Sequence, residues 1–332
     1  MVAIVILNYN GRVFLEEFLP TVITHSIGHQ IYVADNASTD DSVAFIKQNY
    51  QVVRLIELPT NLGYAGGYNR ALAQIEAQYF VLLNSDVAVT ANWITPVVSL
   101  LNANPQIAAC QPKILDFNRP KYFEYAGAAG GFLDQLGYAY CRGRIFDTIE
   151  VDSGQYNDSR PVHWATGACM FMRADAFKKM GGFDEAYFAH YEEIDLCWRL
   201  QNAGLEVWYC AESAVYHVGG GTLQKSSPQK TYYNFRNNLL TIYKNEPRNR
   251  ALAIIAIRLV LDGLAGIQFF FKGQFANVWA IIRAHFAFYA MVGGAWGQQL
   301  KPMKNPKKQT PSKLQSIVFK YFVLGKKRFL DL

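Results

Sequence analysis

The first quarter of the chain repeats one pattern, a short apolar run, a polar turn and an amphipathic stretch, and this alternation limits the fold more than any other feature. Residues 2–7, 31–34, 52–58 and 79–83 read as strands, and 14–24, 41–49 and 66–77 read as helices. A strand that returns beside its predecessor in the same direction needs a crossover, which a helix supplies, so the order predicts an α/β fold with a mostly parallel central sheet. In such sheets ligands gather beyond the carboxyl ends of the strands, and polar clusters at 8–10, 35–41 and 84–86 fall at three of those ends. Residues 105–225 mix strand-like and helical pieces and are expected to complete the same sheet.

The 332 residues are 51% hydrophobic and 17% charged, which excludes disordered and collagen-like classes. Five cysteines without a C-x-x-C pair indicate neither a disulfide framework nor a structural zinc site, and a reducing cytosol fits them. Residues 1–7 carry no basic flank and read as a buried strand rather than a secretion signal. Within 251–300, Arg258, Asp262, Lys272 and Arg283 interrupt each apolar stretch before it reaches the ~20 residues of a membrane span. Helices that pack together or lie on a membrane are expected there, with 251–271 and 278–296 as the amphipathic segments. The net charge is +6, yet residues 301–332 hold nine Lys or Arg against Asp331 alone. A basic surface confined to one end argues against nucleic-acid binding and for a tail that docks on an anionic membrane surface.

Several residues carry candidate chemistry. Asp86 follows a strand through Asn84 and Ser85, where a carboxylate can bridge a divalent cation to a diphosphate or act as a turn residue. Asp35, beside Asn36, can accept from a pyrimidine N–H or a ribose hydroxyl, while Ser38, Thr39 or Asp40 can cap the next helix. The stretch from Asn61 through Gly63 to Asn69 leads glycine-rich into a helix N-terminus, a setting for anion contact, without the G-x-G-x-x-G of dinucleotide oxidoreductases. Glu192, Glu193 and Asp195 crowd the opening turn of a helix beside His190. Crowding can keep one carboxylate basic enough to take a proton, and dipole complementation with a salt bridge to Arg199 is the alternative. His217, before three glycines, suits a metal or phosphate contact or a structural role.

In order, Leu-Asn-Tyr-Asn-Gly at 7–11, Asp-Asn-Ala-Ser-Thr-Asp at 35–40, the segment 61–69, Asn-Ser-Asp at 84–86, Trp-Ala-Thr-Gly-Ala at 164–168 and Glu-Glu-Ile-Asp-Leu-Cys-Trp-Arg at 192–199 resemble the family-2 glycosyltransferases of the GT-A fold, and more narrowly their rhamnosyltransferase-like branch. The resemblance covers about residues 1–245. It implies a GT-A-type nucleotide-sugar-binding fold over 1–225, divided into a nucleotide-binding half (1–115) and an acceptor and catalytic half (116–225). A helical, basic, membrane-associating region (226–332) then follows.

The resemblance also implies roles. Tyr9 and Asp35 would hold the nucleotide, with Asn8, Asn10, Asn36, Asn61, Gly63, Asn69, Asn84, Ser85, Trp164 and Gly167 as further donor-binding candidates from the same motifs. Asp86 would hold Mg2+ or Mn2+, and Asn84 stands where the family often has another aspartate. His217, 24 residues beyond Glu193, matches a histidine that ligates the metal in related enzymes. Glu193 would be the general base, with Asp195 in reserve. The implied reaction is an inverting single displacement from a nucleoside-diphosphate sugar, dTDP-rhamnose or a UDP-sugar, to a glycan or lipid-linked glycan in bacterial surface polysaccharide synthesis. It would run in the cytoplasm, peripheral on the inner face of the cell membrane. A nucleotidyltransferase of similar fold and a non-catalytic sugar-nucleotide-binding subunit are the competing readings.

Overall fold

The computed structural model describes residues 1–219, 227–294 and 316–332. The chain opens with β1 (Val2–Asn8), α1 (Arg12–His25), β2 (Gln30–Asp35), α2 (Ser42–Asn49), β3 (Arg54–Glu57), α3 (Gly63–Leu72) and β4 (Tyr79–Asn84). It continues through β5 (Val87–Val89), α4 (Thr95–Ala103), β6 (Ile107–Asp116), β7 (Gly131–Leu133), β8 (Ala139–Cys141), β9 (Arg144–Ile145), β10 (Thr148–Ile149), β11 (Arg160–Pro161), β12 (Cys169–Arg173), α5 (Ala174–Lys179), α6 (Glu192–Asn202) and β13 (Glu206–His217). The C-terminal part holds α7 (Pro228–Asn245), α8 (Arg248–Phe271) and α9 (Phe275–Gly293).

A nine-stranded sheet in the order β11-β13-β6-β12-β4-β1-β2-β3, with β5 paired to β13, forms the centre. Strands β1 to β4, β6 and β13 point one way, and β5, β11 and β12 point the other. The period of two along β1 decides which helices cover which face. Ala3 and Val5 join Tyr68 of α3, Phe177 of α5 and Leu196 of α6, while Val2, Ile4 and Ile6 join Leu15 of α1, Ile46 of α2 and Val97 of α4. Both faces of the strand are therefore apolar, as a sheet between two helix layers requires.

Residues 105–225 differ in part from the expectation. Strands β6, β12 and β13 complete the main sheet, but β7 to β10 form a separate four-stranded antiparallel sheet. These strands are two or three residues long, too short for a periodic pattern to show.

The C-terminal helices pack through Leu239, Leu240 and Ile242 of α7, Ala251 and Ile254 of α8 and Phe288 of α9. By length and composition α8 and α9 could each cross a membrane, with mean hydropathy 1.8 and 1.3. Their buried charges face one another instead. Arg258 pairs with Asp262 at 3.1 Å, His285 meets the same carboxylate at 3.1 Å, and Tyr138 of the body donates to it at 3.3 Å. The opposite faces expose Ile257, Val260, Leu264 and Phe271 of α8, and Phe275, Trp279 and Phe286 of α9. The chain end returns to the body, where Phe329 packs on Phe132, Tyr140 and Tyr156. Lys301, Lys304, Lys307, Lys308 and Lys313 of the basic tail, and Trp296, lie outside the described residues.

Candidate active site

A cavity of about 470 Å³ opens beyond the carboxyl ends of β1, β2 and β4. On one side, β5 pairs antiparallel with β13 and sets His217 opposite Val87, so the imidazole meets the preceding residue, Asp86. His217 Nε2 lies 3.1 Å from Asp86 Oδ1, although 131 residues separate them in sequence. Glu124 Oε2 stands 3.4 Å from the other ring nitrogen, forming an ion pair without an aligned hydrogen bond. Burial opposes a charge on this ring, but the Glu124 and Asp86 carboxylates push His217 up to about 10. Asp86 is also opposed by burial, and its bond to His217 holds it below the usual carboxylate range.

Asp86 and His217 suit a divalent metal. Donors bound at ~2.1 Å on neighbouring corners of an octahedron stand ~3 Å apart, which matches their separation, and Glu124 behind the ring is placed as a partner of metal-bound histidines is. Among the described residues no third His, Cys, Asp or Glu completes a cluster. Water or substrate oxygens would supply the other positions, as is usual for Mg2+. Loading would displace the imidazole proton, because the ligating form is neutral.

The other side is the N-terminal turn of α6. Glu192 and Glu193 line the cavity, and each has one buried carboxylate oxygen without a hydrogen-bond partner among the described residues. Burial raises the pKa of both, and in Glu192 the neighbouring charge of Glu193 adds to the effect. Asp195 lies elsewhere. Burial would raise it, but Arg199 at 2.8 Å and Lys244 at 2.9 Å hold it well below the usual range, and Asn245 donates to it at 2.9 Å. It does not line the cavity, and its proton affinity is too low for a base.

Tyr9, Asn10, Asn36, Asn61, Gly63, Asn84, Ser85 and Gly167 line the cavity. Asn36 organises its part of the wall, accepting from Leu62 N and donating to Asn61 Oδ1 and Gly63 O, each at 3.0 Å. Asn8 and Asp35 lie behind the wall, where Asn8 donates to Asp35 at 3.0 Å and Ser38 N donates to the other Asp35 oxygen at 2.9 Å. The expected helix cap at Ser38, Thr39 or Asp40 is not found: the N-cap of α2 is Asp41, whose side chain makes no capping bond, and Asp40, one residue earlier, accepts from Ser42 N at 3.1 Å.

Two expected donor contacts are packing residues instead. Asn69 ties α3 to Phe183 through both ends of its amide, and Trp164 donates to Phe132 O at 3.1 Å with its ring over Gly131. The start of α3 is not an open anion site either. The Phe188 carbonyl accepts from Tyr64 N at 2.7 Å, and Asn61 Oδ1 accepts from Gly63 N at 2.9 Å. The glycines serve close approach, since a Cβ on Gly63, whose φ is +69°, would stand 2.5 Å from the Phe188 carbonyl oxygen.

The family model described as glycosyl transferase family 2 matches residues 3–181, more than half of the chain. The chain belongs to glycosyl transferase family 2. Its sequence is 29% identical over 239 residues to N-acetylglucosaminyl-diphospho-decaprenol L-rhamnosyltransferase of Mycobacterium tuberculosis, covering 66% of this chain and 76% of that protein. In fold, this glycosyltransferase resembles TarS 1-349 of S. aureus in complex with UDP-GlcNAc, with a TM-score of 0.58, 15% identity, and 88% and 81% of the two chains covered. It also resembles GalNAc-T7 with UDP, GalNAc and Mn2+, at a TM-score of 0.57 and 16% identity, over 73% of this chain and 47% of that one. The family-2 glycosyltransferase therefore spans about half the length of GalNAc-T7. The central sheet and the loops at its carboxyl edge are those of the GT-A fold.

Sequence motifs did not point to Glu124, Phe188, Lys230 or Tyr233, all of which line the cavity, and Tyr64, inside the 61–69 motif, was not singled out. Glu124 sits in irregular chain with no periodic or motif signal, and Lys230 and Tyr233 arrive on α7 from outside the sheet.

Proposed function

We propose that this protein is a metal-dependent, inverting glycosyltransferase that moves a sugar from a nucleoside diphosphate, dTDP-rhamnose or a UDP-sugar, to a hydroxyl of a lipid-linked glycan in bacterial surface polysaccharide synthesis. The observation that carries this reading is the cavity itself, with the Asp86–His217 pair on one wall and the raised Glu192–Glu193 pair on another. Residues 1–115 would hold the nucleotide, 116–225 would supply the acceptor side and the catalytic acids, and 226–332 would bring the enzyme to the membrane.

Glu193 takes the proton of the acceptor hydroxyl as its oxygen attacks the anomeric carbon. The bond from that carbon to the nucleoside diphosphate breaks in line, inverting the configuration, and the proton stays on Glu193 until solvent removes it. Asn36, Asn61, Tyr9, Asn10 and Ser85 lie where nucleotide and ribose polar atoms would be met. Held by Asp86 and His217, Mg2+ or Mn2+ would offset charge on the departing diphosphate. The M. tuberculosis relative, named for a diphospho-decaprenol acceptor, supports an acceptor of GlcNAc-diphosphate-lipid type.

The apolar outer faces of α8 and α9 would enter the headgroup boundary of the cytoplasmic leaflet, with the basic tail adding ~1 kcal/mol for each Lys or Arg that reaches anionic lipid. Two assays test the reading. Nucleoside diphosphate should be released from one of a panel of nucleotide sugars when GlcNAc-diphosphate-lipid and Mn2+ are present, and not in excess chelator. The protein should float with anionic vesicles, and the triple variant Ile257→Glu, Val260→Glu, Leu264→Glu should not. Formation rather than release of a diphosphate bond would favour a nucleotidyltransferase.

A further inference from the structure

The chain entering α6 is held in an unfavourable shape. Phe188, His190 and Tyr191 have φ of +62°, +68° and +71°, a region that side chains with a Cβ occupy at a cost of ~1 kcal/mol or more each. Asn237 of α7, fully buried, maintains the shape. The two N–H groups of its Nδ2 are shared among three carbonyl oxygens, of Tyr187 at 3.1 Å, Ala189 at 2.9 Å and His190 at 2.7 Å. The neighbouring Arg236 donates to those of Ala186 and Tyr187 at 2.9 and 3.0 Å. This buttress sets the His190 ring in the cavity wall beside Glu192 and Glu193.

His190 Nε2 is buried and has no hydrogen-bond partner among the described residues. A buried polar atom left unpaired costs ~1–3 kcal/mol, on top of the backbone strain. Substrate-contact groups carry that pattern, because their partner arrives with the ligand. Burial, helped by the charge of Lys230, pushes His190 down to about 4, so the ring is neutral at physiological pH. The adjoining wall is aromatic, with Phe188 and Tyr233 stacked at 5.9 Å and 21°, a surface suited to the apolar face of a sugar ring.

We propose that His190 Nε2 hydrogen-bonds a hydroxyl of the acceptor sugar and so orients the attacking oxygen toward Glu193. The contact rests on the glycosyl-transfer reading above. The acceptor is favoured over the donor because His190 adjoins the acids of α6, whereas the diphosphate belongs with Asp86 and His217. His190 is a positioning residue here and does not carry the transferred proton.

The test uses the full chain with dTDP-rhamnose or whichever UDP-sugar proves active, Mn2+, and GlcNAc-diphosphate on a short polyprenol. His190→Phe should lower kcat/KM for the acceptor about tenfold or more, keep donor KM within about twofold and leave the acid limb of the pH profile in place. His190→Gln, which restores a hydrogen-bonding group, should recover most of the loss. Transfer by His190→Phe at the wild-type rate overturns the contact, as does a rise in donor KM in both variants or a pH limb lost with the imidazole. Absence of any transfer by the wild-type protein overturns the underlying reaction, a result distinct from the failure of His190 alone.

Discussion

Replacing Glu193 by Gln is expected to slow transfer and to stabilise the fold, and both effects follow from one burial. A positioned base contributes ~10²–10⁴-fold, or ~3–5 kcal/mol of barrier, and an amide of the same shape cannot take the proton. For stability, burial holds Glu193 well above the ~4.3 of a glutamate in an unfolded chain. Below pH ~4 the group is protonated in both states and adds nothing. As pH rises from there toward the folded value, the unfolded chain gives up its proton readily and the folded chain does not, so stability falls. Each pKa unit by which folding raises the group costs ~1.4 kcal/mol once it has ionised. Glu193→Gln removes that loss, so its Tm should exceed the wild-type value by several degrees at pH 8 and match it near pH 4. Nucleoside diphosphate release should drop at least ~100-fold while the donor Kd, measured by calorimetry, stays within about twofold. The wild-type rate should fall as pH drops through the raised pKa of Glu193, and the residual rate of the variant should lack that limb. Retained turnover, or a Tm that falls at pH 8, refutes the assignment.

Asp86→Ala should weaken donor binding in Mn2+ more than His217→Ala, because a charged oxygen ligand offsets more diphosphate charge than a neutral imidazole, and in excess chelator the two variants and the wild type should bind donor alike. Asp195→Asn should lower stability by ~3 kcal/mol, read from urea denaturation, since Arg199 and Lys244 lose their buried partner, while kcat per folded molecule stays within a few-fold. Wild-type stability should itself decline in acid, because the depressed Asp195 contributes stability above the unfolded pKa of ~3.9 that is lost as pH falls below it. Gly131→Ala should cost ~3 kcal/mol or prevent folding, as its Cβ would stand 2.0 Å from the Trp164 ring; a soluble variant with unchanged Tm refutes that packing.

The sequence by itself determined the elements that local periodicity can encode. The run 2–7 is apolar at every position and so reads as a strand buried on both faces, and β1 occupies Val2–Asn8 with both core layers against it. The polar residues after β1, β2 and β4 were legible as site loops because the carboxyl edge of a parallel sheet follows from strand order alone. Three features were decided only by tertiary structure. Glu193 and Asp195 are both acids in the first turn of one helix. Their proton affinities diverge because Arg199, one turn along the same helix, and then Lys244 and Asn245 of α7 hold Asp195, while none of them reaches Glu193 in the cavity wall. Asp86 and His217 meet only because the three-residue β5 pairs with the end of β13, and a pairing that short carries no signal in either segment. Asp35, Asn69 and Trp164 sit in motifs with plausible ligand chemistry, yet their polar atoms are taken by the protein's own groups. Residue type states what a side chain can bind, and which partner it has is settled by chain that lies far away in sequence and arrives only when the sheet and helices have packed.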